Sequence, residues 1–248
     1  MKRRLMTRLH TQIESDGPVA TVRLIGGIDQ TTICTAETTV TEVLTGQPDA
    51  LLLDLSGVSC AEPAALLAFA ALAHRASLWP GVPVILHAPD PVLRSMLTGQ
   101  AVDRAVAVCP DRAAALALAR CAPTPFRLRE QMRPVPGVAR RSRDLATEAC
   151  LIARIPELVA SASIVTSELV ANAVRHAGTP FELTLIRTPR YLHIGVRDED
   201  CRPAVRLDPD SSASTGRGLL IVEQTASSWG STPAQQGKVV WAALAVTR

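Results

Sequence analysis

Aromatic side chains make up only 3% of the 248 residues, namely three Trp, three Phe and one Tyr. Hydrophobic residues still reach 47%, so any core must be built from Leu, Val, Ile and Ala. That favours helices packed on sheets over an aromatic-rich β-sandwich. Lysine is nearly missing: Lys2 and Lys238 are the only two, and arginine carries the rest of the positive charge. With 26 basic and 23 acidic residues (+3) the chain lacks the basic excess of a dedicated nucleic-acid binder. Up to Ala122 there are 10 basic and 11 acidic residues, and beyond it 16 and 12. The mildly positive second half suits an anionic ligand. Six cysteines (34, 60, 109, 121, 150, 201) form no C-x-x-C pair and have no histidine at ligand spacing. This argues against zinc or a disulfide framework, and for reduced, mostly buried thiols in a cytoplasmic protein. The basic start MKRRLMTRLH is not followed by an apolar region. No run approaches the roughly 20 apolar residues that span a bilayer. The expectation is a cytoplasmic protein without membrane or direct nucleic-acid contact.

Two segments follow different grammars. Residues 1–122 alternate strand-like and helix-like stretches. Val19 to Ile25 reads as a strand ended by Gly26-Gly27, Thr31 to Leu44 as a helix, and the apolar run Ala50 to Leu55 as a buried strand. Pro63 is placed to open a helix continuing over Ala64 to Leu78. Val82 to His87 is a strand, Pro91 to Leu97 a short helix and Ala105 to Val108 a last strand, with Asp111 in N-cap position before Arg112 to Arg120. This is an α/β unit. Four prolines mark Cys121 to Pro136 as linker or crossing segment, with 123–136 taken as the linker. Residues 137–248 open with two helices, Val138 to Ala153 and Glu157 to Ala177. Strands Phe181 to Arg187 and Tyr191 to Asp198 come next, then a polar loop and a helix starting near Gly216-Arg217-Gly218. Strands around Ser231 and over Val239 to Val246 close the chain. Helices first and strands later predict an α+β two-layer sandwich, helices on one mixed sheet.

The chemistry-bearing residues lie in the second segment. In SELVANAVRHA, Glu168, Asn172 and His176 stand at i, i+4 and i+8 and share one helical face. A carboxylate there can accept a proton from an attacking hydroxyl. An amide oxygen one turn on is a hard ligand for Mg²⁺. The spacing alone is more often that of an ordinary exposed helix face. Asp198 ends the strand VRD and can accept the exocyclic amine of adenine, although a strand-ending Asp is usually a turn former and Asp198-Glu199-Asp200 can be solvated charge. In GRGL, Gly216 and Gly218 let backbone approach a ligand, Arg217 can bond phosphate, and Leu219 begins the following apolar run.

In this order and spacing, SELVANAVRHA, VRDEDCRP, GRGLLIVEQTASSWG and GKVVWAAL resemble the N, G1 and G2 boxes and closing strand of the GHKL ATPase family, whose ATP pocket is the Bergerat fold. The nearest branch is that of the anti-sigma factor serine kinases, and the likeness covers nearly all of Phe126 to Arg248. It implies ATP and Mg²⁺ as cofactors, Glu168 as catalytic base, Asn172 as Mg²⁺ ligand, Asp198 as reader of adenine, and Gly216, Arg217, Gly218 and Leu219 around the phosphates. His176 either lines the pocket or only caps the helix. Homodimerisation through this segment is also implied. The sequence departs from the pattern at Glu199-Asp200-Cys201-Arg202-Pro203, where a G1 glycine is common, and at Gly237-Lys238-Val239, where G-K-T is frequent. The missing hydroxyl removes one polar contact, worth about 1 kcal/mol.

LLLDLSGVSCAEPAALLAF (Leu51 to Phe69) and RLIGGID (Arg23 to Asp29) resemble STAS domains of anti-sigma factor antagonists over about Val19 to Arg120. In that family a serine just after an Asp at the start of a helix takes the kinase's phosphate. Here Glu62 falls at the Asp, Pro63 and Ala64 at the serines and Ala65 at the glycine, so no phosphoester can form at these positions. Glu62 is either a constant negative charge or a favourable first-turn residue.

Two functions are implied. One is an ATP-dependent serine kinase that binds a sigma factor and phosphorylates a separate STAS antagonist, with the fused STAS domain as an intramolecular brake. The other is a catalytically weak or inactive nucleotide-dependent binding module that holds or releases its partners. A sensor histidine kinase fragment would need a phosphoacceptor His on a dimerisation helix, and His10, His74 and His87 do not fit that pattern.

Overall fold

The computed structural model describes residues 8–204 and 217–246. The chain divides into two compact units, Met1–Thr124 and Pro125–Arg248.

In the first unit five strands form a sheet in chain order: β1 (His10–Asp16), β2 (Val19–Ile28), β3 (Ala50–Cys60), β4 (Val84–His87) and β5 (Ala107–Cys109). β1 is antiparallel to β2, and β2 to β5 are parallel neighbours. The helices are α1 (Ile33–Thr45), α2 (Leu67–Leu78), α3 (Pro91–Gly99) and α4 (Arg112–Cys121). Successive residues of a strand point to opposite faces, and β3 shows this directly. Leu51, Leu53 and Leu55 join Ile33, Ala36, Val40 and Leu44 of α1 and Phe69 and Leu72 of α2 in the main core. Leu52 faces the other way, with Ile85 and Ala115 of α4. Burial on both faces explains the unbroken apolar run of this strand. Asp111 caps α4 as expected, its carboxylate accepting from Ala114 N at 2.8 Å.

Three expectations change here. Strand β1 was not foreseen. Gly26-Gly27 does not end β2: the strand continues to Ile28, and β3 runs on to Cys60. A register shift between Arg23 and Ile25 lets Gly26 pair with Val58. Glycine at this bulge admits the φ of +124° found at Gly26. The helix expected from Pro63 begins as a 3₁₀ turn, Pro63–Leu66, before α2. The thiols also differ from expectation. Cys34, Cys121 and Cys201 are exposed, Cys60 is half-buried, and only Cys109 and Cys150 are buried.

In the second unit the sheet order is β6-β7-β8-β10-β9, with β6 (Phe126–Met132), β7 (Phe181–Arg187), β8 (Tyr191–Asp198), β9 (Ser228–Pro233) and β10 (Lys238–Ala245). Every neighbouring pair is antiparallel, so the sheet is not mixed. Residues 126–132, expected within a linker, form β6 and pair with β7 from Phe126↔Arg187 to Met132↔Phe181. The helices are α5 (Val138–Ile152), α6 (Val159–His176) and α7 (Gly218–Thr225). One core joins Leu145 and Ala149 of α5, Val165, Leu169 and Ala173 of α6 and Leu219 and Val222 of α7. It includes Leu183, Leu185, Ile194, Val196, Val240 and Ala242 of the strands. Pro156–His176 is long and apolar enough, by length and composition, to cross a membrane. Here it is a core helix with Ala162, Val165, Leu169, Val170 and Ala173 buried.

Candidate functional site

The apolar stripe of α6 fixes where its polar stripe lies. With Val165, Leu169 and Ala173 buried, Glu168 and Asn172 fall at the margin of the core and are half-buried, while His176, in the last turn, is exposed. The helix contacts β8, β10 and α7. At the start of α7 the backbone of Gly218 lies against the Glu168 side chain. A Cβ at this position would stand 2.6 Å from Glu168 Oε2. Glycine is therefore what lets the carboxylate and the opening turn of α7 come together. Arg217 precedes that turn and is exposed, and Leu219 is buried beneath it. Gly216 lies outside the described residues.

Asp198 ends β8 and is only 2% exposed. The antiparallel register sets it opposite Lys238, the first residue of β10. The two side chains form a buried ion pair, Lys238 Nζ to Asp198 Oδ1 at 3.0 Å. The same oxygen accepts the N–H of Asp200 at 3.0 Å. Asp198 Oδ2 is buried and, among the described residues, has no hydrogen-bond partner. A buried carboxylate oxygen in that state carries a desolvation cost that a donor from a ligand would relieve. The close of the hairpin is set by Gly237, at φ +89°, where a Cβ would collide with Asp198 O.

Lys238 also bonds Asp200 O at 3.1 Å and Asp200 Oδ2 at 3.2 Å. Arg202 donates to Asp200 Oδ1 at 2.9 Å and reaches the His176 carbonyl at 3.3 Å, tying the end of α6 to the segment after β8. Bonds from Arg202, first its side chain and then its backbone, hold the Asp200 carboxyl well below the usual carboxylate range, with Lys238 adding to the effect. Asp200 is thus no solvated turn charge, while Glu199 is exposed. Lys238 and Asp200 are the two residues sequence reasoning passed over as site members. The available signal was a lysine in a chain that otherwise uses arginine. Among the described residues no group of three or more His, Cys, Asp or Glu is placed to hold a metal ion. Any Mg²⁺ would depend on Asn172 together with oxygens of a ligand.

In the first unit the turn after β3 carries Glu62, Pro63 and Ala64, all exposed. Glu62 Oε2 accepts the Gln30 N–H at 3.4 Å, linking this turn to the Asp29 loop. Asp29 accepts from the N–H and hydroxyl groups of both Thr31 and Thr32. The Thr31 hydroxyl is the largest of the influences that lower its carboxyl to about 2.

Solved structures of anti-sigma factor antagonists match the N-terminal 45% or so of the chain. One is an antagonist from Mycobacterium paratuberculosis, 26% identical, covering 45% of this chain and 94% of its own, with a TM-score of 0.41. Another is SpoIIAA, solved unphosphorylated and, as the Bacillus cell fate determinant, phosphorylated. These two are 13% and 11% identical, cover 45% and 44% of this chain and 96% and 99% of their own, and have TM-scores of 0.35 and 0.32. No protein-family model matches the sequence, and no curated protein matches it either.

Proposed function

We propose that the second unit binds Mg²⁺-ATP and that the chain is a partner-switching regulator of a sigma factor, transferring phosphate to the serine of a separate STAS antagonist. The observation that carries the nucleotide reading is Asp198 Oδ2, a buried acceptor without a partner at the end of β8. An exocyclic amine of a base would satisfy it. The close approach of Gly218 to Glu168 supports the rest, since it sets a carboxylate beside the first turn of a helix, where N–H groups favour phosphate.

On this reading each residue has one task. Asp198 accepts the adenine amine. Asn172 offers its amide oxygen to Mg²⁺, and exposed Arg217 is free to reach a phosphate. Glu168 takes the proton from the attacking serine hydroxyl. ATP supplies the phosphoryl group, whose transfer asks little of the protein beyond positioning and charge stabilisation. The serine belongs to another molecule, because Glu62, Pro63 and Ala64 offer no hydroxyl at the turn where the resembled family carries it. On the same reading the protein acts in the cytoplasm, with its partners. Identification of the sigma factor side rests on the motif resemblance of both segments.

The second reading, a binding module without catalysis, is favoured by Val239, which stands where a hydroxyl is frequent. Calorimetry with Mg²⁺-ATP on the full chain and on Asn172→Ala tests the site. Binding that is weakened at least tenfold by the substitution supports it, and a wild type that binds nothing refutes it. Phosphate transfer to an unphosphorylated STAS antagonist, with Glu168→Gln as control, then separates kinase from binding module.

A further inference from the structure

Lys238 is 3% exposed and one of two lysines in the chain. Its Nζ donates to Asp198 Oδ1 at 3.0 Å and to Asp200 O at 3.1 Å, and forms an ion pair with Asp200 Oδ2 at 3.2 Å. What this arrangement does is act on Asp198. Oδ1 receives both the ammonium and the Asp200 N–H, so the carboxylate plane is held at one oxygen while Oδ2 has no partner among the described residues.

We infer that Lys238 is a positioning residue for base selection: its ammonium pins Asp198 through Oδ1, leaving Oδ2 as an acceptor-only contact that takes a 6-aminopurine and rejects a 6-oxopurine. The inference rests on the nucleotide reading above and deepens it. An ionised carboxylate has no proton to give, so it can accept from an amine and can only repel a carbonyl oxygen at the same place. Without the ammonium, Oδ1 keeps only the Asp200 N–H, the carboxylate is free to turn, and the discrimination would be lost. Asp200 and Arg202 hold the ammonium from the far side, so the base-reading oxygen is supported by a chain of charges that never touches the base.

The test is calorimetry on the full chain with Mg²⁺-ATP and Mg²⁺-ITP, in which a 6-oxo group replaces the 6-amine and N1 carries a hydrogen. Lys238→Met removes the ammonium and all its donors. Lys238→Gln removes the charge but retains a donor, and serves if the Met variant does not fold. The wild type is expected to prefer ATP by tenfold or more. In Lys238→Met the ATP:ITP ratio should fall to threefold or less, and in Lys238→Gln to an intermediate value. General loosening of the unit would weaken both nucleotides together and leave the ratio unmoved. A folded variant that keeps the wild-type ratio overturns the role of Lys238 alone. A wild type that binds both nucleotides equally overturns the base contact of Asp198, and with it this inference. One that binds neither overturns the nucleotide reading.

Discussion

Substituting Gly218 by alanine should separate stability from chemistry. Gly218 is the first residue of α7 and its φ is not in the left-handed region, so its backbone accepts an L side chain. The new methyl would meet Glu168 Oε2 at 2.6 Å, with Glu168 Cδ at 3.6 Å and Cβ at 3.8 Å. Only the carboxylate oxygen is too close, and it is the end of a flexible side chain. Reaching an ordinary contact of 3.4 Å requires a shift of about 0.8 Å. The fold should lose nothing. Replacing glycine in a compatible conformation stabilises by about 0.4–1 kcal/mol, which for a unit of this size is a rise of roughly 2–5 °C in Tm. Displacing a catalytic base by nearly 1 Å, in contrast, costs on the order of 10²-fold in rate, about 2.7 kcal/mol of barrier. The assay is the initial rate of phosphate transfer from Mg²⁺-ATP to a STAS antagonist, with thermal unfolding measured on the same preparation. A rate within twofold of wild type in Gly218→Ala would refute the placement of Glu168 as base. A fall in Tm of several degrees would refute the claim that only the carboxylate has to move.

Gly237→Ala should behave in the opposite way. At φ +89° and with a Cβ colliding with Asp198 O, it should cost well over the 1–2 kcal/mol of the left-handed conformation alone, whereas Gly17→Ala, at φ +63° with nothing within 4 Å, should cost only that; parallel urea unfolding of the two variants measures the difference. Asp111→Ala removes the acceptor of the Ala114 N–H and should destabilise the first unit by about 1 kcal/mol, read as a lower urea midpoint for that unit. The Asp29 carboxyl, lowered to about 2, should titrate near that value by NMR. A depressed carboxyl stabilises the fold above its unfolded value near 3.8, and that contribution should disappear as pH falls from about 4 through 2. A midpoint near 4 would refute the bonds assigned to Thr31 and Thr32.

What could be read from the sequence was what local pattern decides. Phe181–Arg187 and Tyr191–Asp198 were bounded correctly because a Thr-Pro-Arg turn separates two strongly apolar runs, and Asp111 was recognised because capping is a contact of three residues' reach. Two of the edge strands, β1 and β6, were missed for a physical reason. In HTQIESD (β1) the only aliphatic side chain is Ile13, 51% exposed, so its order comes from backbone pairing with β2, which leaves no mark on composition. β6 was hidden likewise by the prolines that flank it. In the site, Glu168, Asn172 and His176 share a helix face by spacing alone. The Asp198–Lys238 pair spans 40 residues and exists only through the register of β8 on β10.

Among the described residues both units hold buried polar side-chain atoms without a partner, Thr21 Oγ1 and the His87 ring nitrogens in the first and Asp198 Oδ2 in the second. Beside the exposed turn at Glu62, Pro63 and Ala64, Thr31 donates to Asp29 Oδ1 at 2.7 Å and Thr32 to Gly27 O at 2.9 Å. The carboxylate of Glu62 brings a permanent charge there and no group that can be esterified. In the second unit Asp198 retains a buried oxygen with no partner, held in place by a lysine, a second aspartate and an arginine. Sustaining an unsatisfied acceptor inside a core costs about 1–3 kcal/mol, and such groups are rare in folded proteins. Strain of this kind is expected where a ligand completes the structure. On the proposed reading the phosphate goes to the serine of a separate antagonist, since Glu62, Pro63 and Ala64 carry no hydroxyl.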